Sequence, residues 1–209
     1  MKVRLAVTAV LGLIGLLFAV VGCAPASSPT PAPSAAGYRG ARLDRPYVMP
    51  DVTLTDTAGK PFNLRTSPTK PVRLVFFAYT KCPDICVGVL ADQMAAINRL
   101  TEPERAKIEF IWITVDPARD TREVIRTYLD RFGTGLVGLT GDLPRIRALA
   151  EKVGVSIEST VPKPGGYEVN HTAQVIGFDS KSNGLIVWTP GTPIGDLRHD
   201  LELLIKEVG

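Results

Sequence analysis

Histidine is the scarcest reactive residue in this chain of 209 residues, and cysteine is scarce as well. The sequence has two histidines, His171 and His199, and three cysteines, Cys23, Cys82 and Cys86. A disulfide-stapled scaffold needs several cysteine pairs, and a closed structural zinc site takes four ligands from Cys and His. The sequence supports neither class, and the chain is long enough to form a core without disulfides.

The chain also lacks a strong charge of either sign. It has 24 Lys and Arg against 21 Asp and Glu, a net charge of +3, and the basic residues are scattered. Nucleic-acid-binding surfaces are built from clustered Lys and Arg, so we predict no nucleic-acid partner. A hydrophobic fraction of 45% and a charged fraction of 22% are typical of a globular protein. The length fits one domain with appendages.

Residues 1–23 have the pattern of an export signal. Lys2 and Arg4 precede a long uncharged run that ends in Val-Val-Gly-Cys at Val20–Cys23. These four residues resemble a bacterial lipobox, which implies that Cys23 is lipidated and becomes the mature N-terminus. An uncleaved transmembrane anchor is the alternative, since the run is about long enough to span a bilayer. Both interpretations attach the protein to the cell membrane, with its domain on the extracytoplasmic side.

Residues 24–45 are rich in Pro, Ala and Ser, which predicts a linker because such a segment cannot bury enough apolar surface to fold. Residues 46–209 are then the folded domain. There, apolar runs typical of strands alternate with helical patterns, beginning with a hairpin around the turn at Asp56–Lys60. Asp120, followed by Glu123, predicts the capped start of a later helix. We predict an α/β fold, a sandwich with a central mixed β-sheet, an N-terminal β-hairpin and flanking helices. Because Cys82 and Cys86 stand at the turn between the first central strand and its helix, the predicted order is thioredoxin-like.

Two cysteines follow the first central strand. The apolar run Leu74–Tyr79 predicts a buried strand, and Pro83 suits the first turn of a helix. Cys82 and Cys86 are therefore expected four residues apart at a helix N-terminus, where free N–H groups and the helix dipole stabilise thiolates. Two such sulfurs can bind one metal ion or close a Cys82–Cys86 disulfide.

His171 follows a predicted loop over Thr160–Asn170 and precedes a predicted strand that begins at Ala173. Redox-active thioredoxins have a proline directly before that strand, and this chain has His171 and Thr172 instead. Two thiolates and one imidazole are donors that suit copper or zinc. A three-ligand set fits copper better than closed structural zinc. His199 lies in the predicted C-terminal helix and is interpreted as a surface residue.

Four motifs, in order along the chain, resemble the Sco/SenC family of copper-delivery proteins. They are Phe77–Cys86, Val115–Thr121, Leu139–Gly141 and Tyr167–Thr172. The resemblance extends from about Tyr47 to the C-terminus. Two positions depart from the family pattern: Val87 stands where proline often follows the second cysteine, and Asn170 stands where aspartate usually precedes the histidine.

The resemblance implies that Cys82, Cys86 and His171 bind copper, as Cu(I) or Cu(II). It further implies delivery of copper to the copper-site subunit of cytochrome c oxidase during assembly, with other copper chaperones or thioredoxin-like reductants as further partners. Asp116 resembles a family aspartate near the site that tunes the metal or contacts a partner. Its alternative role is that of a strand-end residue that satisfies backbone donors.

A thiol–disulfide oxidoreductase is the main alternative to this metallochaperone, which is not predicted to be an enzyme. In the alternative, the same sulfurs would keep the cysteines of the target reduced, and Cys82 would attack because it lies nearer the helix start. A peroxiredoxin-like activity and a purely structural disulfide between Cys82 and Cys86 are the remaining alternatives.

Overall fold

A computed structural model of the chain describes residues 37–164 and 166–208. The strands in this part of the chain are β1 (Ala41–Val48), β2 (Thr53–Asp56), β3 (Pro61–Asn63), β4 (Val72–Ala78), β5 (Ile108–Thr114), β6 (Val137–Thr140), β7 (Ile157–Lys163), β8 (Gly166–His171), β9 (Val175–Phe178) and β10 (Asn183–Trp188). The helices are α1 (Ile85–Asn98), α2 (Glu102–Arg105), α3 (Arg122–Leu129), α4 (Leu143–Lys152) and α5 (Ile194–Val208).

Eight strands form one mixed sheet in the order β1-β10-β9-β4-β5-β6-β2-β3. Strands β4, β5 and β6 run parallel, and the other neighbouring pairs are antiparallel. Every residue of β4 and β5 is buried, which requires cover on both faces of the sheet. Helix α1 contacts α5, and α3 contacts β6. The predicted α/β sandwich with a central mixed sheet is confirmed.

The N-terminal hairpin is also confirmed, because β2 and β3 pair antiparallel with Leu54 opposite Phe62. The predicted linker is wrong at its C-terminal end. Strand β1 begins at Ala41 and pairs with β10, and the side chain of Tyr38 is only 2% exposed. The N–H groups of Arg39 and Gly40 donate to the carboxylate of Asp200 on α5 at 2.8 and 2.7 Å. These partners lie far along the chain, so local composition could not reveal them.

The rest of the predicted linker, residues 24–36, lies outside the described residues. The predicted signal or anchor over residues 1–23 lies outside them as well, together with Cys23. Among the helices that the structure describes, none has the length and apolar character needed to cross a membrane.

A separate two-stranded sheet carries His171. Strands β7 and β8 pair antiparallel, with Ile157 opposite His171 at the end of the hairpin. The predicted loop over Thr160–Asn170 is therefore wrong. Pro162 argues against a strand in the middle of a sheet, but a two-stranded ribbon has only edge strands, which tolerate proline.

Candidate metal centre

Cys82 lies in the turn between β4 and α1, and Cys86 lies in the first turn of α1. The residue at the helix N-cap, Asp84, makes no side-chain capping bond. The sulfur of Cys82 instead accepts the backbone N–H of Cys86 at 3.3 Å. Cys82 thus satisfies a donor that a capping side chain would otherwise bond. Both cysteines are free thiols, Cys82 half-buried and Cys86 fully buried.

The thiols of Cys82 and Cys86 differ in pKa. The side-chain hydrogen bond from Cys86 lowers the pKa of Cys82 to about 6, and the backbone groups of Cys86 and Asp84 act in the same direction. The same side-chain bond, together with burial, raises the pKa of Cys86. At neutral pH, Cys82 is therefore the thiolate and Cys86 is the thiol that donates to it.

The rate of alkylation of Cys82 in the reduced protein should accordingly be half-maximal at the pH that equals the pKa of Cys82, about 6. An ordinary cysteine reaches that point near pH 8.5. The Cys86→Ala variant should move the midpoint upward, because it removes the side-chain donor. Iodoacetamide modification followed by mass spectrometry measures both midpoints. A wild-type midpoint equal to that of Cys86→Ala would contradict the hydrogen-bonded pair.

The imidazole ring of His171 lies beside the buried sulfur of Cys86. Its Nε2 lies 3.6 Å from Cys86 Sγ, and its Nδ1 lies 3.1 Å from the carbonyl oxygen of Val169. We assign the proton to Nδ1, because it faces a carbonyl that can only accept, and this leaves the Nε2 lone pair toward the sulfur. Burial lowers the pKa of His171, so the ring is neutral at pH 7 and available as a ligand.

The spacing of these donor atoms suits one metal ion. Two ligands with bonds of about 2.0 and 2.3 Å lie about 3.5–3.8 Å apart at tetrahedral to trigonal angles. The distance of 3.6 Å between Cys86 Sγ and His171 Nε2 falls in this range. Within residues 37–164 and 166–208, no three side chains of His, Cys, Asp or Glu are arranged as a complete metal site. The sulfur of Cys82, the third predicted donor, is bonded to the N–H of Cys86 instead.

A cleft of about 200 Å³ opens between the cysteine turn and β8. Cys82, Ile85, Val169 and His171 contribute to its walls, and Tyr79 lines it from the end of β4. The ring of Tyr79 meets the ring of His171 edge to face, with centroids 5.7 Å apart and planes at 75°. Cys82 and His171 are therefore reached from solvent through a mostly apolar opening, whereas Cys86 is fully buried and does not line the cleft.

Asp116 is buried and bonds to two residues outside the predicted ligand set. Its carboxylate accepts the hydroxyl of Tyr167 at 2.8 Å and forms an ion pair with Arg119. Sequence reasoning found Asp116 but missed Arg119 and Tyr167. The one signal in the sequence was that both residues fall inside motifs of the resemblance.

Asp120 does not cap the helix that follows it, so that prediction is wrong. The cap of α3 is Thr121, whose side chain accepts the N–H of Val124. Asp120 is fully buried, and its carboxylate accepts the N–H and hydroxyl of Thr80 at 3.0 and 2.5 Å and the hydroxyl of Thr114 at 2.7 Å. Because Thr80 opens the cysteine turn, Asp120 ties that turn to β5.

The sheet order, the covering helices and a cysteine pair after a central strand define a thioredoxin-like protein, here with a histidine at its cysteine site. The chain belongs to the SCO1/SenC family, whose model matches residues 41–206.

Individual relatives agree with this assignment. A Stutzerimonas stutzeri protein named "Putative copper-binding protein" is 31% identical over 164 residues, which cover 74% of this chain and 80% of that protein. The mitochondrial protein SCO2 of Saccharomyces cerevisiae is 34% identical over 121 residues, 57% of this chain, and the match covers only 40% of that relative. The solved structure of Bradyrhizobium japonicum ScoI with copper bound is 29% identical, with a TM-score of 0.61, and covers 78% of this chain and 97% of its own.

Proposed function

We propose that this protein is a copper chaperone that binds one copper ion through Cys82, Cys86 and His171 and delivers it to the copper-site subunit of cytochrome c oxidase during assembly. The distance of 3.6 Å between Cys86 Sγ and His171 Nε2 carries this proposal, because it places a sulfur and an imidazole nitrogen, both of which suit copper, within reach of one ion. The copper-bound structure of the Bradyrhizobium relative supports the choice of metal.

Loading would change two bonds. The sulfur of Cys82, already a thiolate at neutral pH, would give up its hydrogen bond from the N–H of Cys86 and bind the ion instead. Cys86 would lose its proton, because the ligand is the thiolate. Copper uptake therefore releases a proton and is favoured as the pH rises.

Delivery would proceed by exchange of ligands. A cysteine of the target would replace Cys82 first, because Cys82 is the more exposed of the two sulfurs. Ile85 and Val87, which are 52% and 41% exposed, lie on either side of Cys86 in the chain and offer apolar surface for the target to contact. Asp116 would affect the metal site indirectly, through its bonds to Arg119 and Tyr167.

The proposal includes attachment to the membrane. Lipidation of Cys23, or retention of residues 1–23 as an anchor, would place the domain on the extracytoplasmic side. Other copper chaperones or thioredoxin-like reductants would load copper or reduce the cysteines there, because a Cys82–Cys86 disulfide removes both sulfur ligands.

The reduced protein should therefore bind one equivalent of copper, and the oxidised protein should bind none at this site. Thiol titration together with metal analysis of both forms measures the two stoichiometries. Transfer is then followed by mixing copper-loaded protein with the apo form of the oxidase copper-site subunit. Equal copper content in the reduced and oxidised proteins would contradict ligation by Cys82 and Cys86.

A further inference from the structure

The hairpin that carries His171 has little support of its own. Strands β7 and β8 form a sheet that is not hydrogen-bonded to the eight-stranded sheet. Of the six residues of β8, only Val169 is buried. The place of His171 relative to Cys86 therefore depends on side chains that connect the hairpin to the body of the protein.

Arg119, in the loop between β5 and α3, makes such a connection. Its Nη1 donates to the carbonyl oxygen of Tyr167 at 2.9 Å, and its guanidinium carbon lies 3.7 Å from the centre of the Tyr167 ring. Its Nε pairs with the carboxylate of Asp116, and the other oxygen of that carboxylate accepts the Tyr167 hydroxyl at 2.8 Å. Asp116, Arg119 and Tyr167 thus form a closed cycle, which we call the Arg119 clasp.

Tyr167, the member of the Arg119 clasp on β8, lies four residues before His171 on that strand. Between them, the N–H of Val169 meets the hydroxyl of Tyr79 at 3.5 Å, and the carbonyl of Val169 meets Nδ1 of His171. The guanidinium carbon of Arg119 also lies 5.7 Å from the centre of the Tyr79 ring. A shift of Tyr167 would therefore move the carbonyl that orients the His171 ring.

We propose that Arg119 is a positioning residue that holds the β7–β8 hairpin so that Nε2 of His171 faces the sulfur of Cys86. For copper binding this inference rests on the proposed function. The fastening of the hairpin is independent of copper and is measured without it.

The first test uses the Arg119→Met variant without metal, because methionine keeps an apolar stem and removes every guanidinium contact. Amide hydrogen exchange in β8 should accelerate at least about tenfold, while exchange in β4 and β5 stays unchanged. The matched control is Arg198→Met, which breaks the ion pair with Glu202 on α5 and should leave β8 unaffected.

The second test uses copper. Arg119→Met should weaken copper binding by about 10–100-fold, the range expected for a residue that orients a metal ligand. The nitrogen hyperfine signal in the Cu(II) spectrum should weaken as well, which a change in stability alone would not cause. Arg119→Lys keeps the charge without the planar fork, so its effects should lie between those of the wild type and methionine.

Tyr167→Phe removes only the hydroxyl bond to Asp116, and it keeps the test decisive if Arg119→Met does not fold. It should accelerate exchange in β8 to a smaller extent. Wild-type exchange in β8 together with wild-type copper affinity in a folded Arg119→Met protein overturns the clasp and leaves the proposed function intact. A wild-type protein that takes up no copper overturns the proposed function, and the metal-free exchange still decides whether Arg119 holds the hairpin.

Discussion

The His171→Ala variant should bind copper at least about a hundredfold more weakly than the wild type. Removal of a group that only orients a metal ligand costs about 10–100-fold, and loss of a ligand should cost more. Two sulfurs then remain, and the ion is open to competing thiols. Competition with a coloured Cu(I) chelator measures the affinity of the reduced protein.

The chain offers a matched control in its second histidine. His199 lies half-buried on α5 and does not line the cleft at the cysteines. His199→Ala should therefore bind copper as the wild type does. Equal affinity of His171→Ala and His199→Ala would remove His171 from the ligand set.

The same variant separates the chaperone from a thiol–disulfide oxidoreductase. The low pKa of Cys82 serves either function, because both use a thiolate. Disulfide exchange needs the two cysteines alone, so His171→Ala should retain it while copper transfer to the oxidase subunit is lost. Copper transfer that survives in His171→Ala together with disulfide exchange would favour the oxidoreductase.

Asp120→Ala should lower the free energy of unfolding by about 3 kcal/mol. The variant leaves the N–H and hydroxyl of Thr80 and the hydroxyl of Thr114 without their acceptor, and each hydrogen bond to a charged group contributes about 1.5–3 kcal/mol. The net loss is smaller than that sum, because burial penalises the carboxylate and raises the pKa of Asp120. Urea denaturation measures the difference as a shift of the midpoint.

Asp142→Ala is the control for this substitution. Asp142 caps α4 at an exposed position by accepting the N–H of Arg145, and loss of such a cap costs about 1 kcal/mol. If Asp120→Ala cost no more than Asp142→Ala, the bonds to Thr80 and Thr114 would not support the fold as described. Because Thr80 opens the cysteine turn, Asp120→Ala should also shift the alkylation midpoint of Cys82.

Much of the fold could be predicted because its signals are local. The mostly apolar runs of β4 and β5 and the hairpin β2–β3 each depend on residues a few positions apart. The same holds for the spacing of Cys82 and Cys86 at the start of a helix.

The errors fall where distant parts of the chain meet. Strand β1 forms because its partner, β10, lies at the other end of the chain, and local composition indicated a linker instead. Asp120 has the local pattern of a helix cap, yet its carboxylate accepts hydrogen bonds from Thr80 in the cysteine turn and from Thr114 on β5. Tertiary hydrogen bonds replaced the local role in that case.

The sequence by itself determined the donor types of the candidate site: two sulfurs near a helix start and one histidine elsewhere in the chain. Only the tertiary structure decided that the imidazole of His171 lies 3.6 Å from Cys86 and that Cys82 is bonded to the helix instead. The physical reason is that a hairpin outside the main sheet has no backbone register to fix its place. Its position depends on side chains such as Arg119 and Tyr167. Their contact joins distant parts of the chain, so it could not be predicted from the spacing of residues in the sequence.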